Sequence, residues 1–355
     1  MLKKFRTNID TIDKKLLELL NKRANIAKQV ADYKKSSNNK IIFRPDRESQ
    51  IIKSLRTLNK GPLNADHIHN IYREIISSCL SLETNLNVSF LGPIGTYSEI
   101  AMTKFFGSSI QKNSKNNIHE VFDSVKNKTC DYGVVPVENS NQGSIKSTLD
   151  FLIKYKINIC GEQNIPIKHC LMSQSSSVSG IKKIYAHNQT LSQCSSWLSK
   201  NYPDAEYIAS DSNAQAALIA KKYKNSSCIA NEICSELYKL KIVARNIHDA
   251  HNNTTRFLII GNTEVSKSKN DKTTFIMSLQ NKAGALAKAL DILANYKISM
   301  TKIESIPTKE KNWEYLFLID ISGHISEKRV YNALTKIESF SRFFQHLGSY
   351  PKSID

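Results

Sequence analysis

The 355-residue sequence lacks several features, and each absence excludes a class of protein. No apolar run approaches the roughly 18 residues of a membrane-spanning helix, and the chain starts with a charged amphipathic segment rather than a signal peptide. The seven cysteines include no C-x-x-C pair, which argues against a zinc site and against a disulfide framework. We therefore expect a cytoplasmic protein without a metal and without contact to a membrane.

Motifs for nucleotide and nucleic-acid binding are missing as well. Neither G-x-G-x-x-G nor G-K-[ST] occurs. The formal charge of +18 invites a nucleic-acid hypothesis, but the excess is spread along the chain as lysine instead of forming an arginine-rich stripe with aromatic residues. We interpret it mainly as a compositional drift towards Lys and Asn, with anionic small-molecule sites contributing. A basic nucleic-acid binder stays open as an alternative.

The composition is that of a soluble globular protein. Hydrophobic residues make up 40% of the chain, charged residues make up 23%, and the mean hydropathy is -0.37. Because 355 residues exceed the usual size of one hydrophobic core, we predict two or three domains.

The N-terminal region predicts three helices. The first carries apolar side chains alternately four and three positions apart, which is typical of a helix that packs along another helix. One position of this seam is Arg23, which is costly to bury unless an anion meets it, and Lys34 follows roughly 16 Å further along the same face. The apolar positions of the seam are Phe5, Ile9, Ile12, Leu16, Leu19, Ile26, Val30 and Tyr33.

Two further helices start at Pro45 and after Gly61. Three helices of this kind bury the seam by pairing with a second copy, which predicts an intertwined homodimer. A bundle that serves only dimerisation, in which Arg23 snorkels or pairs with an acid, is the alternative.

Residues 86–262 alternate between predicted strands and helices, which favours parallel or mixed sheets covered on both faces. A long helix is predicted at 190–201. The chain crosses over near 162–168 and returns near Arg245, which predicts two lobes around a cleft. The predicted strands are 87–91, 131–137, 157–160, 182–186, 227–230 and 241–244.

Four polar clusters lie at strand ends, at 138–144, 187–189 with Gln193, 210–212 and 255–257. A turn or a helix cap explains each cluster alone. Because strand ends in α/β sheets face the ligand crevice, the four together favour a ligand site. In the last cluster the Thr255 hydroxyl stands beside the Arg256 guanidinium at the start of an apolar strand. This is the candidate active site, with a capped turn as the alternative.

The C-terminal region follows a lysine-rich linker at 264–272. Its predicted elements run in the order β-α-β-β-α-β, which is a ferredoxin-like unit. Their predicted ranges are 273–279, 284–296, 298–306, 313–322, 326–339 and 343–350.

The N-terminal motifs resemble the all-helical chorismate mutase domain. They are I-D-x-x-L-L-x-L-L-x-x-R at 12–23, Lys34, P-D-R-E at 45–48 and R-E-I-I-S-S-C-L-S-L-E at 73–83. The resemblance implies the pericyclic rearrangement of chorismate to prephenate, which needs no cofactor, only positioning and well-placed donors. By position it assigns carboxylate and ether-oxygen binding to Arg23, Lys34 and Arg47, and it makes Arg6 the arginine lent by the partner subunit.

The same resemblance assigns two acids. Glu48 holds the substrate hydroxyl, and Glu83 faces the ether oxygen, where some family members have glutamine. A glutamate must be protonated to donate, so we expect mutase activity to fall as the pH rises. The substrate-binding positions Cys79 and Arg44 depart from the serine and the acid found in relatives.

The central motifs resemble prephenate dehydratase. They are G-P-x-G-T-Y-S at 92–98, V-V-P-V-E-N-S-x-x-G-S at 134–144, H-x-Q at 187–189 and T-R-F at 255–257. The resemblance implies conversion of prephenate to phenylpyruvate and a two-lobed fold like that of periplasmic binding proteins. Thr255 then assists the departing hydroxyl, and the cleft wall comes from Thr96, Tyr97 and Ser98. The residues expected to orient substrate are Asn139, Ser140, Gln193 and Arg256, and Ala186 stands where relatives have a serine.

The C-terminal motifs look like an ACT domain that binds phenylalanine between paired subunits. They are N-K-A-G-A-L-A-K-A-L at 281–290 and I-E-S-I-P at 303–307. The effector residues expected from the resemblance are Gly284, Ala285, Leu286, Glu304 and Ser305. Ile306 replaces an arginine and Ala287 replaces a valine of the family pattern, so we expect weakened or absent feedback by phenylalanine. A domain that serves only dimerisation is the alternative.

Together these observations predict a multidomain protein with an all-α domain at 1–85, a two-lobed α/β domain at 86–263 and an α+β ACT domain at 272–355. Its expected partners are chorismate and prephenate as substrates, phenylalanine as an effector, and a second copy of the chain or a larger homo-oligomer. The alternatives are a non-catalytic sensor of an aromatic acid and a family member in which one active site works.

Overall fold

The computed structural model describes residues 1–36, 43–175, 180–250, 252–307 and 315–353. The chain divides into two compact units. None of the helices in the described ranges is both long enough and apolar enough to cross a membrane. The first unit comprises Met1–Asn87, Thr103–Gln111 and Thr263–Lys352, and the second comprises Val88–Met102, Lys112–Asn262 and the residues from Ser353 onwards.

The N-terminal part of the first unit is helical, as predicted, with α1 (Leu2–Ser36), α2 (Pro45–Leu58) and α3 (Ala65–Ser81). Pro45 lies in the first turn of α2, and Asn64 caps α3 by accepting a hydrogen bond of 2.8 Å from the His67 N–H. Because α3 packs against both α1 and α2, it gathers the polar side chains of all three helices.

The middle of the chain alternates between strands and helices, as predicted. Its first elements are β1 (Asn87–Leu91), α4 (Tyr97–Phe106), β2 (Gln111–Lys115), α5 (Ile118–Lys126), β3 (Tyr132–Asn139), β4 (Gly143–Ser144), α6 (Lys146–Lys154) and β5 (Asn158–Pro166). The elements that follow are β6 (Cys170–Ser173), β7 (Lys183–His187), α7 (Asn188–Gln193), α8 (Ser195–Asn201), β8 (Glu206–Ser210), α9 (Asn213–Lys222), β9 (Ser226–Ala230), α10 (Ile233–Tyr238), β10 (Lys241–Ala244) and β11 (Thr254–Gly261).

These strands form two mixed sheets. The first has the order β2-β1-β3-β11-β5, with β4 paired to β3, and the second has the order β10-β6-β9-β7-β8. β11 returns from the second sheet to the first, where it lies antiparallel between β3 and β5. Its register places Thr255 opposite Asn139 of β3 and Ile165 of β5. The chain therefore crosses between the two lobes as predicted, and Thr255 lies on an inner strand of the first sheet.

Four strands were absent from the prediction, namely β2, β4, β6 and β8. β2 and β8 lie at sheet edges, and their side chains are mostly exposed, so they lack the apolar pattern that signals a strand. The helix predicted at 190–201 is divided at Cys194 into α7 and α8.

The C-terminal part has the predicted β-α-β-β-α-β order. Its four antiparallel strands are arranged β13-β14-β12-β15. Its core packs side chains of α11 and α12, such as Leu293 and Leu334, against Phe275 and Ile319 of the sheet. Trp313, which was predicted to start the third strand, lies outside the described residues. The elements are β12 (Asp271–Ser278), α11 (Ala285–Asn295), β13 (Met300–Pro307), β14 (Tyr315–Ser322), α12 (Lys328–Glu338) and β15 (Phe343–Pro351).

Candidate active sites

A cleft of about 540 Å³ lies in the second unit and is lined by residues of both sheets. Thr255 of β11 and Asn139 of β3 come from the first sheet, and Gln193 comes from α7, which follows β7 of the second sheet. Sequence reasoning had placed these three residues in one site, and the structure brings them together.

A hydrogen-bond network joins the three residues through Asn253. Asn139 Nδ2 donates to Thr255 Oγ1 at 2.9 Å and to Asn253 Oδ1 at 2.8 Å. Asn253 Nδ2 donates in turn to Gln193 Oε1 at 3.2 Å. Because Thr255 Oγ1 accepts from Asn139, its own hydrogen is available for a group bound in the cleft.

The start of α4 forms one wall of the cleft with Thr96, Tyr97 and Ser98, as predicted. Thr96 Oγ1 donates to the Leu91 carbonyl at 3.0 Å. The Tyr97 hydroxyl donates to the Lys168 carbonyl and accepts from the Lys168 N–H at 3.0 Å. Burial raises the pKa of Tyr97 well above its usual range, so its hydroxyl stays neutral.

The described lining of the cleft contains no lysine and no arginine. It contains instead the first residues of three helices, at Tyr97 of α4, Ile118 of α5 and Asn213 of α9. The N-terminus of a helix carries a partial positive charge and N–H groups without intrahelical partners. The cleft is therefore suited to an anion that is held by dipoles and amides rather than by a fixed cation.

A second polar cluster lies among the N-terminal helices. Lys34 Nζ is 3.5 Å from Glu83 Oε2, and both side chains are largely buried. Glu48 is buried and paired with Arg73 of α3. Burial raises the pKa of Glu48, while the charges of Arg73 and Arg23 act in the opposite direction. Cations and acids thus meet where the three helices pack together.

Other residues predicted for this cluster lie at its margin. Arg44 is engaged with its own helix start, since its Nε and Nη2 lie 3.0 Å and 2.7 Å from the two carboxylate oxygens of Asp46. Arg6 and Arg47 are exposed, and Cys79 is buried.

The C-terminal part contains a smaller cavity of about 140 Å³, lined by Ala285 and Leu286 of α11 among others. Gly284 precedes the helix in the left-handed conformation at φ +80°, which glycine adopts without strain. Glu304 lies on β13 and its carboxylate is 3.0 Å from Lys302 Nζ, and Ser305 follows it on the same strand. Neither Glu304 nor Ser305 belongs to the described lining of this cavity.

Comparison with known proteins accounts for the whole chain. Family models match chorismate mutase type II at residues 5–84, prephenate dehydratase at 88–265 and the ACT domain at 273–339. The bifunctional chorismate mutase/prephenate dehydratase of Aquifex aeolicus is 41% identical over 357 residues, which cover 99% of this chain and 98% of that protein. The chain belongs to the bifunctional chorismate mutase/prephenate dehydratase family.

Two solved structures resemble the dehydratase and ACT domains. The prephenate dehydratase of Arthrobacter aurescens in complex with L-Phe has a TM-score of 0.69 and 29% identity, covering 74% of this chain and 89% of that one. A protein described as a novel type of quorum quenching acylase has a TM-score of 0.68 and 26% identity, covering 75% of this chain and 98% of that one. Because the same fold occurs with a different described activity, the function must be argued from the side chains of the site.

Two residues predicted to orient substrate do not belong to the described lining of the dehydratase cleft. Arg256 projects away from it, because successive side chains of a strand point to opposite faces, and it pairs with Glu162 at 2.8 Å. Ser140 Oγ accepts from the Thr254 N–H at 3.0 Å and donates to the Asn252 carbonyl at 2.9 Å. Both side chains hold β11 in place through these bonds, and their role in orienting substrate stays a prediction.

Sequence reasoning did not single out Arg73 of the mutase domain or His169 of the dehydratase cleft. Arg73 belonged to a quoted motif, but its partner Glu48 is 25 positions earlier. His169 and Ile167 both line the cleft from the segment between β5 and β6, which has no periodic signal in the sequence.

Proposed function

We propose that this chain catalyses two consecutive reactions of phenylalanine biosynthesis. The mutase domain rearranges chorismate to prephenate, and the dehydratase domain converts prephenate to phenylpyruvate. The observation that carries the proposal is the Thr255 hydroxyl, which is held by Asn139 in a cleft without lysine or arginine among its described lining residues. Because Asn139 supplies the hydrogen bond that Thr255 Oγ1 accepts, the hydroxyl hydrogen is available for the departing oxygen of prephenate.

The dehydratase step removes two groups from one ring. When the ring carboxylate leaves as carbon dioxide, its bonding pair enters the ring, and the hydroxyl on the opposite carbon leaves with the pair of its C–O bond. Thr255 donates a hydrogen bond to this departing oxygen, which becomes water with a proton from solvent. Because the product ring is aromatic, hydrogen bonding and orientation of the substrate suffice.

The mutase step requires a compact substrate and positive charge near its ether oxygen. Arg23, Lys34 and Arg47 supply cations for the two carboxylates and the ether oxygen. Glu48, held by Arg73, receives the substrate hydroxyl. Glu83 beside Lys34 faces the ether oxygen, so the fall of mutase activity with rising pH stays a prediction.

The mutase site is completed by a second copy of the chain. All eight apolar positions of the α1 seam, which the heptad-like spacing predicted, are between 43% and 73% exposed in the single chain. A second α1 that packs along this seam buries them and brings Arg6, which is exposed here, to the partner's site.

Feedback by phenylalanine is weakened in the ACT domain. A related dehydratase is known in complex with L-Phe. In this chain Ile306 replaces the arginine of the family motif and is 6% exposed, so it offers no charge or hydrogen bond to an amino acid. Strong inhibition of the dehydratase by micromolar phenylalanine would contradict this part of the proposal.

The function is tested by incubating the purified chain with chorismate and measuring prephenate and phenylpyruvate separately. Thr255→Ala should leave prephenate formation unchanged and lower phenylpyruvate formation by about 100-fold or more, because the departing oxygen loses its donor.

Thr254→Ala is the matched control, since Thr254 precedes Thr255 on β11 but does not line the cleft. It should retain both activities. A wild-type chain that forms no phenylpyruvate from prephenate would overturn the dehydratase assignment and favour the sensor.

A further inference from the structure

The hydrogen bonds of the dehydratase cleft have a defined direction, and a backbone group sets it. The Asn141 N–H lies 3.1 Å from Asn139 Oδ1, and a backbone N–H can only donate. The Asn139 side chain is therefore oriented with its oxygen towards Asn141. Its NH₂ group must then be the end that faces Thr255 Oγ1 and Asn253 Oδ1.

This orientation propagates to the next two amides. Asn253 receives the Asn139 donor on its oxygen, so its own NH₂ group faces Gln193. The Gln193 atom at 3.2 Å from Asn253 Nδ2 must accept, and it is therefore Oε1. The other end of the Gln193 amide, its NH₂ group, is left for the cleft that Gln193 lines.

His169 ends the chain of hydrogen bonds. Its Nε2 lies 2.9 Å from the same Gln193 Oε1, so Nε2 carries the hydrogen. The ring is 1% exposed and lines the cleft, and its Nδ1 has no hydrogen-bond partner among the described residues. Burial lowers the pKa of His169 to about 4, which keeps the ring neutral and leaves it a single N–H at neutral pH.

We propose that His169 is a positioning residue of the dehydratase site, which holds the Gln193 amide with its NH₂ group towards the substrate. The inference rests on the proposed dehydratase function. If the Gln193 amide turned round, its NH₂ group would meet the NH₂ group of Asn253, which cannot accept, and the hydrogen bond from His169 Nε2 to Gln193 Oε1 would be lost. An NH₂ group presented to the cleft suits the carboxylate or hydroxyl of an anionic substrate, whereas a carbonyl would repel it.

Two substitutions separate the N–H from the shape of the side chain. His169→Gln carries an NH₂ group at about the position of Nε2, and His169→Asn is too short to place one there. We expect His169→Asn to lower kcat/KM for prephenate about 10- to 100-fold and His169→Gln to stay within about threefold of the wild type. Chorismate mutase activity, measured on the same samples together with circular dichroism, reports whether the chain is folded.

A cycle with Gln193→Ala tests whether His169 acts through Gln193. In the Gln193→Ala background, His169→Asn should lower kcat/KM for prephenate by less than about threefold, because the amide that His169 positions is absent. The pH profile of kcat/KM for His169→Gln should superimpose on that of the wild type. A positioning residue that stays neutral adds no ionisation to the profile.

Several outcomes overturn the inference. They are full activity of His169→Asn, equal losses in His169→Asn and His169→Gln, additive losses in the cycle, and disappearance of a limb of the pH profile in His169→Gln. If His169→Asn does not fold, His169→Gln decides alone, with retained activity supporting the inference and lost activity opposing it. A wild type without dehydratase activity would refute the proposed function instead, which is a separate result.

Discussion

Burial sets the protonation state of two histidines, His69 on α3 and His169 in the cleft. Burial is the main cause that lowers the pKa of each to about 4, and at His69 the charges of Arg73, Lys104 and Arg56 act in the same direction. A histidine of the unfolded chain titrates near about 6.5. Between these two values the unfolded state binds more protons, so the free energy of unfolding falls as the pH drops through this window.

His69→Leu removes the contribution of one of these two histidines to the fall in unfolding free energy at low pH. The His69 ring is 7% exposed, and its Nε2 has no hydrogen-bond partner among the described residues, so leucine replaces it without breaking a bond at that atom. Between about pH 7.5 and about pH 4.5, the wild type should lose about 2 kcal/mol more unfolding free energy than the variant. Urea denaturation at the two pH values measures this difference.

His67→Leu serves as the matched control, because His67 lies on the same helix and is exposed. It should follow the pH dependence of the wild type. Equal pH dependence in His69→Leu and in the wild type would show that His69 is not held neutral by burial.

The residues of the dehydratase cleft were predictable where the signal was local. Thr255 and Asn139 each lie at the end of an apolar strand, and strand ends gather at one edge of a sheet. The face to which each side chain points was not predictable, because it depends on the pairing of β11 between two distant strands. Arg256 therefore pairs with Glu162, which is 94 positions earlier in the chain. The motif had predicted that Arg256 orients the substrate.

At the scale of elements, the exposed seam of α1 carries the strongest prediction. Ile12→Glu places a charge in the middle of the seam, where it must be buried if a second α1 packs there. We expect the variant to lose mutase activity by about tenfold or more and to dissociate towards the 40.1 kDa chain in analytical ultracentrifugation, while the dehydratase activity persists.

Lys14→Glu controls for the added acid, since position 14 is off the seam and exposed. It should keep the mass and both activities of the wild type. Unchanged mass and unchanged mutase activity in Ile12→Glu would rule out this seam as the interface.

Long buried strands were predictable, whereas the four-residue strand β6 was missed although it is fully buried. Strands such as β3 and β11, which are almost wholly buried, stand out as apolar runs. The edge strands β2 and β8 are fixed by backbone hydrogen bonds to one neighbour, and their side chains carry no periodic signal. The order of the C-terminal elements was recovered because each of them contributes a regular face to one core.

At the scale of the whole molecule, three families of domain follow one another in a single chain. The boundaries predicted at 85–86 and 263–272 come from changes of pattern and from the lysine-rich linker. The helical, two-lobed and ferredoxin-like architectures that they separate are those of the structure. The two proposed active sites belong to different domains, which is why Thr255→Ala can silence one reaction and spare the other.

The two proposed sites also differ in how they bind a doubly charged substrate, so we expect their activities to respond differently to ionic strength. Salt ions compete with a substrate most strongly at exposed arginine and lysine side chains, such as Arg47, and less at the helix termini and amides that form the described lining of the dehydratase cleft. Raising potassium chloride should therefore slow the mutase more than the dehydratase. In a mixture fed with chorismate, the intermediate should become scarcer as salt is added, because its formation is slowed more than its consumption.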